Sequence, residues 1–355
     1  MARQLGGRLA LAISRATLSH EFQPGQSATL KRRPDEAIGS TGLPPDTASE
    51  RWLVPARIVE RSARQTLWYG SLPMQALERV LHHAMRHLPI RFVSNLGARL
   101  AWLKIRFIDP DVARKARANI RQHFPAMPAA DVETLVWRFV DNVGRLMAEF
   151  SIVHRLTSAR RMELVGIEAP RANLGRIPTI ALCLHLGNWE VMAAAMQKIG
   201  VSIASISEVP ENAAHRDIAD ATRSGFDVKV LSPDRIGALQ ALSILKGNGV
   251  LAIFPDEKRG STMMAPLFGR PPHIKGNLAL AAKLARRTGA QLVVVYCERM
   301  ENVRFRLHFE EPFFMDPEGD DALADVAFIN GRIEPIILRH LAQWYYLDDS
   351  IGPIA

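Results

Sequence analysis

From about residue 162 the chain alternates short runs of β-type residues with helical patterns, and no other feature limits its fold as strongly. The strand candidates are MELVG, PTIALCL, VSIASIS, VKVL, VLAIF, QLVVVYC and FRLHFE. Between several of them lie the helix patterns NWEVMAAAMQKIG, NAAHRDIADATRSG, DRIGALQALSILKGNG and GNLALAAKLARRTG. Gly200, Gly225, Gly249 and Gly289 stand where helix C-caps belong. This alternation predicts an α/β fold with a mostly parallel central sheet flanked by helices over residues 161–355. A last helix, ADVAFINGRIEPIILRHLAQWYYLDD, is expected to be interrupted near Pro335.

Residues 51–160 read as helices. In SLPMQALERVLHHAMRHLP, Met74, Leu77, Leu81, Met85 and Leu88 recur at helical steps, with Arg79, Arg86 and three histidines mostly on the other side. RFVSNLGARLAWLKIRF repeats the style with Trp102 and Phe107, and DVARKARANIRQHF and a long pattern from Ala129 follow. Between Arg51 and Pro125 there are fourteen Lys and Arg against four Asp and Glu, so this window holds the whole net charge of +9. A basic block of amphipathic helices suits an anionic membrane surface, and equally helices packed on their own core with a solvated basic back. Residues 1–50 are rich in Pro, Gly, Ser and Thr and read as a disordered or mis-started tail.

Several classes drop out. No run approaches the ~20 apolar residues of a spanning helix. Cys183 and Cys297 both sit in apolar runs and read as buried, reduced thiols rather than a disulfide framework. The glycine signatures of dinucleotide and P-loop proteins, the G-x-S-x-G elbow and H-E-x-x-H are all absent, and no Cys/His cluster has zinc spacing. No metal and no cofactor is expected. The basic balance alone suggests nucleic acid, but no nucleic-acid motif accompanies it.

One segment carries chemistry: PTIALCLHLGNWEVMAAAMQ. An apolar strand from Thr179 to Leu184 ends at His185, a glycine turn follows, and a helix begins near Asn188. Sites in open α/β sheets are built at the carboxyl ends of strands. On a continuous helix His185 and Glu190 would lie about 140° apart. A strand-end His and a Glu in the first helical turn can meet, and a carboxylate beside imidazole raises its basicity. His185 is then a candidate general base for a hydroxyl nucleophile, or a structural histidine. Asn188 could donate to an oxyanion or cap the helix.

HLGNWE matches the H-x4-[D/E] signature of the glycerolipid acyltransferase superfamily, and its GNWE form resembles the lipid A biosynthesis acyltransferases of lauroyl/myristoyl type. GRLMAE (144–149) is similar to that family's upstream helical block. FPDEKRGSTMMAPLFGRPPHIKGNLALAAKLARRTGAQLVVVYCER resembles its second block, and LRHLAQWYYLDD its Trp-centred terminal helix. The resemblance spans roughly residues 73–348. It implies transfer of a fatty acyl group from acyl carrier protein, or acyl-CoA, to a hydroxyl of a lipid acceptor such as a lipid A precursor, without an acyl-enzyme. It implies catalysis by His185 with Glu190 polarising it, and substrate contacts from Asn188, Asp256, Arg270 and Arg299. Arg270, in FGR, would meet a phosphate. Glu257 follows Asp256 where members often carry glutamine. The expected location is peripheral, on the cytoplasmic face of the inner membrane. A phospholipid, another glycolipid or an aminolipid is the alternative acceptor, and a non-catalytic anionic-membrane-binding relative the alternative class.

Overall fold

The computed structural model describes residues 72–206, 224–259 and 262–348, with side chains from Arg79 onward. The tail at 1–50, the start of the basic region and most of the helix expected over 212–225 lie outside the described residues.

Among the described residues four helices come first: α1 (Leu72–His87), α2 (Ile90–Phe107), α3 (Asp111–His123) and α4 (Ala129–Glu149). A short turn of helix, α5 (Val153–Leu156), leads into the sheet. The remaining elements are β1 (Met162–Val165), α6 (Glu168–Asn173), β2 (Thr179–Cys183), α7 (Val191–Lys198), β3 (Ile203–Ile206), β4 (Val228–Leu231), α8 (Arg235–Lys246) and β5 (Val250–Ile253). A two-stranded ribbon, β6 (Lys258–Arg259) with β7 (Thr262–Met263), precedes α9 (Gly276–Thr288), β8 (Gln291–Met300), β9 (Arg304–Phe309) and α10 (Ala322–Arg339).

The main sheet has the order β1-β9-β8-β2-β5-β3-β4. Every ladder is parallel except β8 with β9. The expected α/β class with a mostly parallel sheet is therefore found. Strands β2, β5 and β8 are buried on both faces, which is why they read as continuous apolar runs rather than alternating ones. Ile180, Leu182, Leu251 and Val294 pack one face against α4, α9 and α10. Cys183, Ala252, Val293 and Val295 pack the other against α7. The chain thus leaves β2 over one face and β5 over the other. Adjacent strands whose connections part in this way open a crevice at their carboxyl ends.

Some boundaries differ from expectation. Gly289 is a left-handed C-cap, and Gly200 follows α7 with φ of 75°. Helix α8 instead stops at Gly247, with Asn248 taking the left-handed turn. Helix α10 runs through Pro335 without interruption. The packed Ile333, Ile336 and Ile337 around it hold the helix against the roughly 3 kcal/mol that an interior proline costs. The segment LAQWYYLDD is not helical: a 3-10 turn at Leu341–Gln343 is followed by an isolated bridge, Leu186 to Trp344. Trp344 is fully buried there.

Helices α2 and α4 meet at two glycines. A Cβ on Gly144 would lie 2.5 Å from both the Gly97 carbonyl oxygen and the Ala101 Cβ. At an open helical site Gly→Ala adds up to about 1 kcal/mol of stability. Here the steric cost reverses the sign, and Gly144→Ala should lower unfolding free energy in urea by about 1–3 kcal/mol. Gly331→Ala, which meets nothing within 4 Å on α10, is the control and should not destabilise.

Candidate active site

Leu182 of β2 and Ile253 of β5 are register partners. His185 and Asp256 each lie three residues beyond them, so the two strand ends deliver both side chains to one place. His185 Nδ1 and Asp256 Oδ1 are 2.9 Å apart. The backbone N–H of His185 donates to Asp256 Oδ2 at 2.9 Å, and the indole Nε1–H of Trp344 donates to the same oxygen at 3.0 Å. Asp256 has no exposed surface and is fully engaged. A carboxylate at Nδ1 fixes the tautomer with the proton on that nitrogen, leaving the Nε2 lone pair free to take one. The ring is flanked by Phe254 at 4.5 Å, Trp189 at 4.9 Å and Tyr346 at 5.1 Å between centroids. Its side chain retains 15% exposure, enough for a reacting group to reach one edge.

The backbone beyond His185 is pinned by the C-terminal segment. Tyr345 N–H donates to the His185 carbonyl, and Gly187 N–H donates to the Gln343 carbonyl, each at 3.0 Å. Gly187 has φ of 60°, and a Cβ there would collide with the Cys297 carbonyl oxygen. Glycine is required at this turn for both reasons.

These positions revise several expectations. Glu190 was expected to hold and polarise His185, whereas the residue that meets the ring at Nδ1 is Asp256. Glu190 stands at the N-cap of α7, partly buried. Asp256, expected to touch substrate, is consumed by His185 and Trp344. Arg299 is likewise not a free strand-end cation. Its guanidinium makes two 2.8 Å bonds to Glu149 and one to Asn142 Oδ1 at 2.8 Å. Burial opposes the Arg299 charge, but Glu149 outweighs it and holds the group above its ordinary range. Asn188 is buried, makes no side-chain cap of α7, and donates from Nδ2 to Glu149 Oε2 at 2.8 Å. Its Oδ1 is buried without a hydrogen-bond partner among the described residues. Glu149, Asn142 and Gln343 thus form a buried brace behind the His185 turn, and sequence reading assigned none of them a role.

Arg270 follows Phe268 and Gly269, both at positive φ. It is half-buried, and burial pulls its pKa down. Phe268 packs on Trp344 at 5.6 Å, which ties this turn to the site. Glu257, the departure beside Asp256, accepts from the Asn277 N–H at 2.7 Å at the start of α9, where the helix dipole favours a carboxylate. Cys183 is buried, and its thiol is pushed up to about 12 by burial and by the Asp256 charge. It is inert packing, as its apolar strand suggested.

The bacterial lipid A biosynthesis acyltransferase profile matches residues 74–350. The chain belongs to this family. It is an acyltransferase, and the family acts in lipid A biosynthesis. No curated protein sequence matches the chain. Among solved structures it is similar to the 1-acyl-sn-glycerophosphate (LPA) acyltransferase PlsC from Thermotoga maritima, at 13% identity and a TM-score of 0.33, over 65% of this chain and 94% of that one. So distant a likeness adds nothing to the assignment.

Two predictions follow from the geometry of this acyltransferase. Asp256→Asn should lower the transfer rate by roughly 10²–10⁴, because the amide no longer holds the productive tautomer. Glu190→Gln should cost less, and a steady-state comparison in which Glu190→Gln is the worse variant would reverse the assignment at Nδ1. Separately, Glu149→Gln leaves Arg299 buried without its counter-charge and should destabilise by about 3–5 kcal/mol, measured by chemical unfolding.

Proposed function

We propose that the protein moves a fatty acyl group from a thioester carrier to a hydroxyl of a lipid A precursor. The observation that carries this is the His185–Asp256 pair at the β2 and β5 strand ends, with the imidazole edge left reachable. His185 Nε2 takes the proton of the acceptor hydroxyl as its oxygen attacks the thioester carbon. Asp256 stabilises the imidazolium that forms. The tetrahedral intermediate collapses with cleavage of the C–S bond, and the leaving thiolate recovers the proton from His185. The acyl group passes directly, so no enzyme nucleophile is needed, in keeping with the inert Cys183.

Acyl carrier protein is the proposed donor, with acyl-CoA the alternative, and the proposed place of work is the cytoplasmic face of the inner membrane. Arg270 is assigned to a phosphate of donor or acceptor, as the guanidinium on the turn that Phe268 ties to Trp344 beside the site. Glu190 is assigned to the reacting centre, and Asn188, held on Glu149, to its support. Arg299 supports the centre from behind through Glu149.

Mass spectrometry of total lipids, lipid A included, from a null strain of the source organism tests this reading. One lipid class should lose a single acyl mass in the null and regain it with wild type but not with His185→Ala. Restoration by His185→Ala would overturn the base assignment. Loss of the acyl mass from a phospholipid or aminolipid instead of lipid A would change the acceptor and leave the reaction standing.

A further inference from the structure

Helix α2 buries one side and leaves the other unused. Val93, Gly97, Ala98, Lys104 and Ile105 face inward. Phe92, Leu103 and Phe107 are 53%, 45% and 67% exposed. At 3.6 residues per turn these three fall within about 60° of one another, and Arg99 and Arg106 lie beside them on the same arc. The helix contains no acidic residue. The Arg106 guanidinium sits 5.4 Å from the Phe107 ring centre. Trp102, 45% exposed, meets Phe107 edge-on at 5.8 Å and leads to Trp137 at 6.4 Å. No helix among the described residues is long and apolar enough to cross a membrane.

We propose that this outward face of α2 docks on an anionic lipid surface, with Phe92, Leu103 and Phe107 inserted at the headgroup boundary and Arg99 and Arg106 paired with lipid phosphates. This deepens the functional reading by naming where the enzyme meets its lipid, and only that purpose rests on it. Two observations fix the occupant. The exposed residues are large, aromatic-rich and aligned, an arrangement costly in water but suited to the interface. The cations flanking them have stems long enough to reach outward to headgroups while the rings go in. A basic face without acids complements phosphate rather than a mixed-charge protein surface. The charge of the chain is concentrated in the same region: the fourteen basic and four acidic residues between Arg51 and Pro125 include all of α2 and α3.

The test uses the full-length protein and vesicles of phosphatidylglycerol with phosphatidylethanolamine, compared with phosphatidylcholine alone. Wild type should sediment with the anionic vesicles, less so at raised salt. Phe92→Ser, Leu103→Ser and Phe107→Ser together should weaken that binding about tenfold or more. They should leave transfer to a detergent-dispersed acceptor unchanged. Because Cys183 and Cys297 are buried and free, a fluorophore on Phe107→Cys reports this face alone. Its emission should shift to the blue with anionic vesicles, whereas a label on Glu318→Cys should not shift. Unchanged vesicle binding by the triple variant, a silent label at position 107, or a dimer lost in the triple variant would each overturn the proposal. Vesicle binding with these properties but no acyl transfer under any condition would sink the catalytic reading and leave the docking face standing.

Discussion

Three hydrogen bonds to one buried carboxylate organise this molecule. Asp256 takes the His185 N–H on Oδ2, the His185 ring on Oδ1 and the Trp344 indole on Oδ2. Those groups come from the end of β2 and from the C-terminal segment, and Asp256 itself from the end of β5. A carboxylate without exposed surface is tolerable only because each oxygen is met by donors. The requirement works in both directions. The imidazole is aligned because Asp256 is held, and a buried Asp256 is tolerated because the imidazole and the indole meet it. Loss of Asp256 would leave the buried Trp344 indole N–H and the His185 N–H without this partner, so the site and the docking of the last residues form one cooperative unit.

Behind it lies a second buried charge system, of a different kind. Arg299 and Glu149 pair bidentately, Asn142 accepts from Arg299 Nε, Asn188 donates to Glu149, and Gln343 bonds the Arg299 backbone. Buried ion pairs contribute little net stability relative to apolar packing, since desolvation offsets the attraction. What this one supplies is geometry. Gln343 bonds both the N–H and the carbonyl of Arg299, and its own carbonyl receives Gly187 N–H. The glycine turn after His185 is therefore fixed from the side opposite the reacting edge, and α4, β8 and the C-terminal turn all bear on it.

The fold class and the strand-end placement of the candidate site were legible in the sequence because both follow from local pattern. Apolar runs of strand length between helical periods give the sheet, and a histidine directly after such a run gives the site. The partner of that histidine was not legible in the same way. Glu190 is five residues from His185 and Asp256 is seventy-one away, so proximity in sequence favoured Glu190. Only the insertion of β5 beside β2 makes Asp256 the neighbour, and strand order is not written in any one segment. The pairing of Arg299 with Glu149 escaped for the same reason, since it joins residues 150 positions apart. The error at Pro335 and at Trp344 was of another type. Propensity interrupted the last helix at a proline that packing carries through, and ran the same helix on into residues that packing bends into a bridge.

Glu257, where the resemblance led to an expectation of glutamine, can be read physically. An added negative charge next to the base's carboxylate would be expected to depress catalysis if it faced the site. Its carboxylate instead accepts the Asn277 N–H at the start of α9, where the helix dipole is positive. Asn277 in turn donates from its side chain to the carbonyl of Phe254, the residue that lies over the His185 ring. The extra charge therefore stabilises the helix that braces one wall of the site.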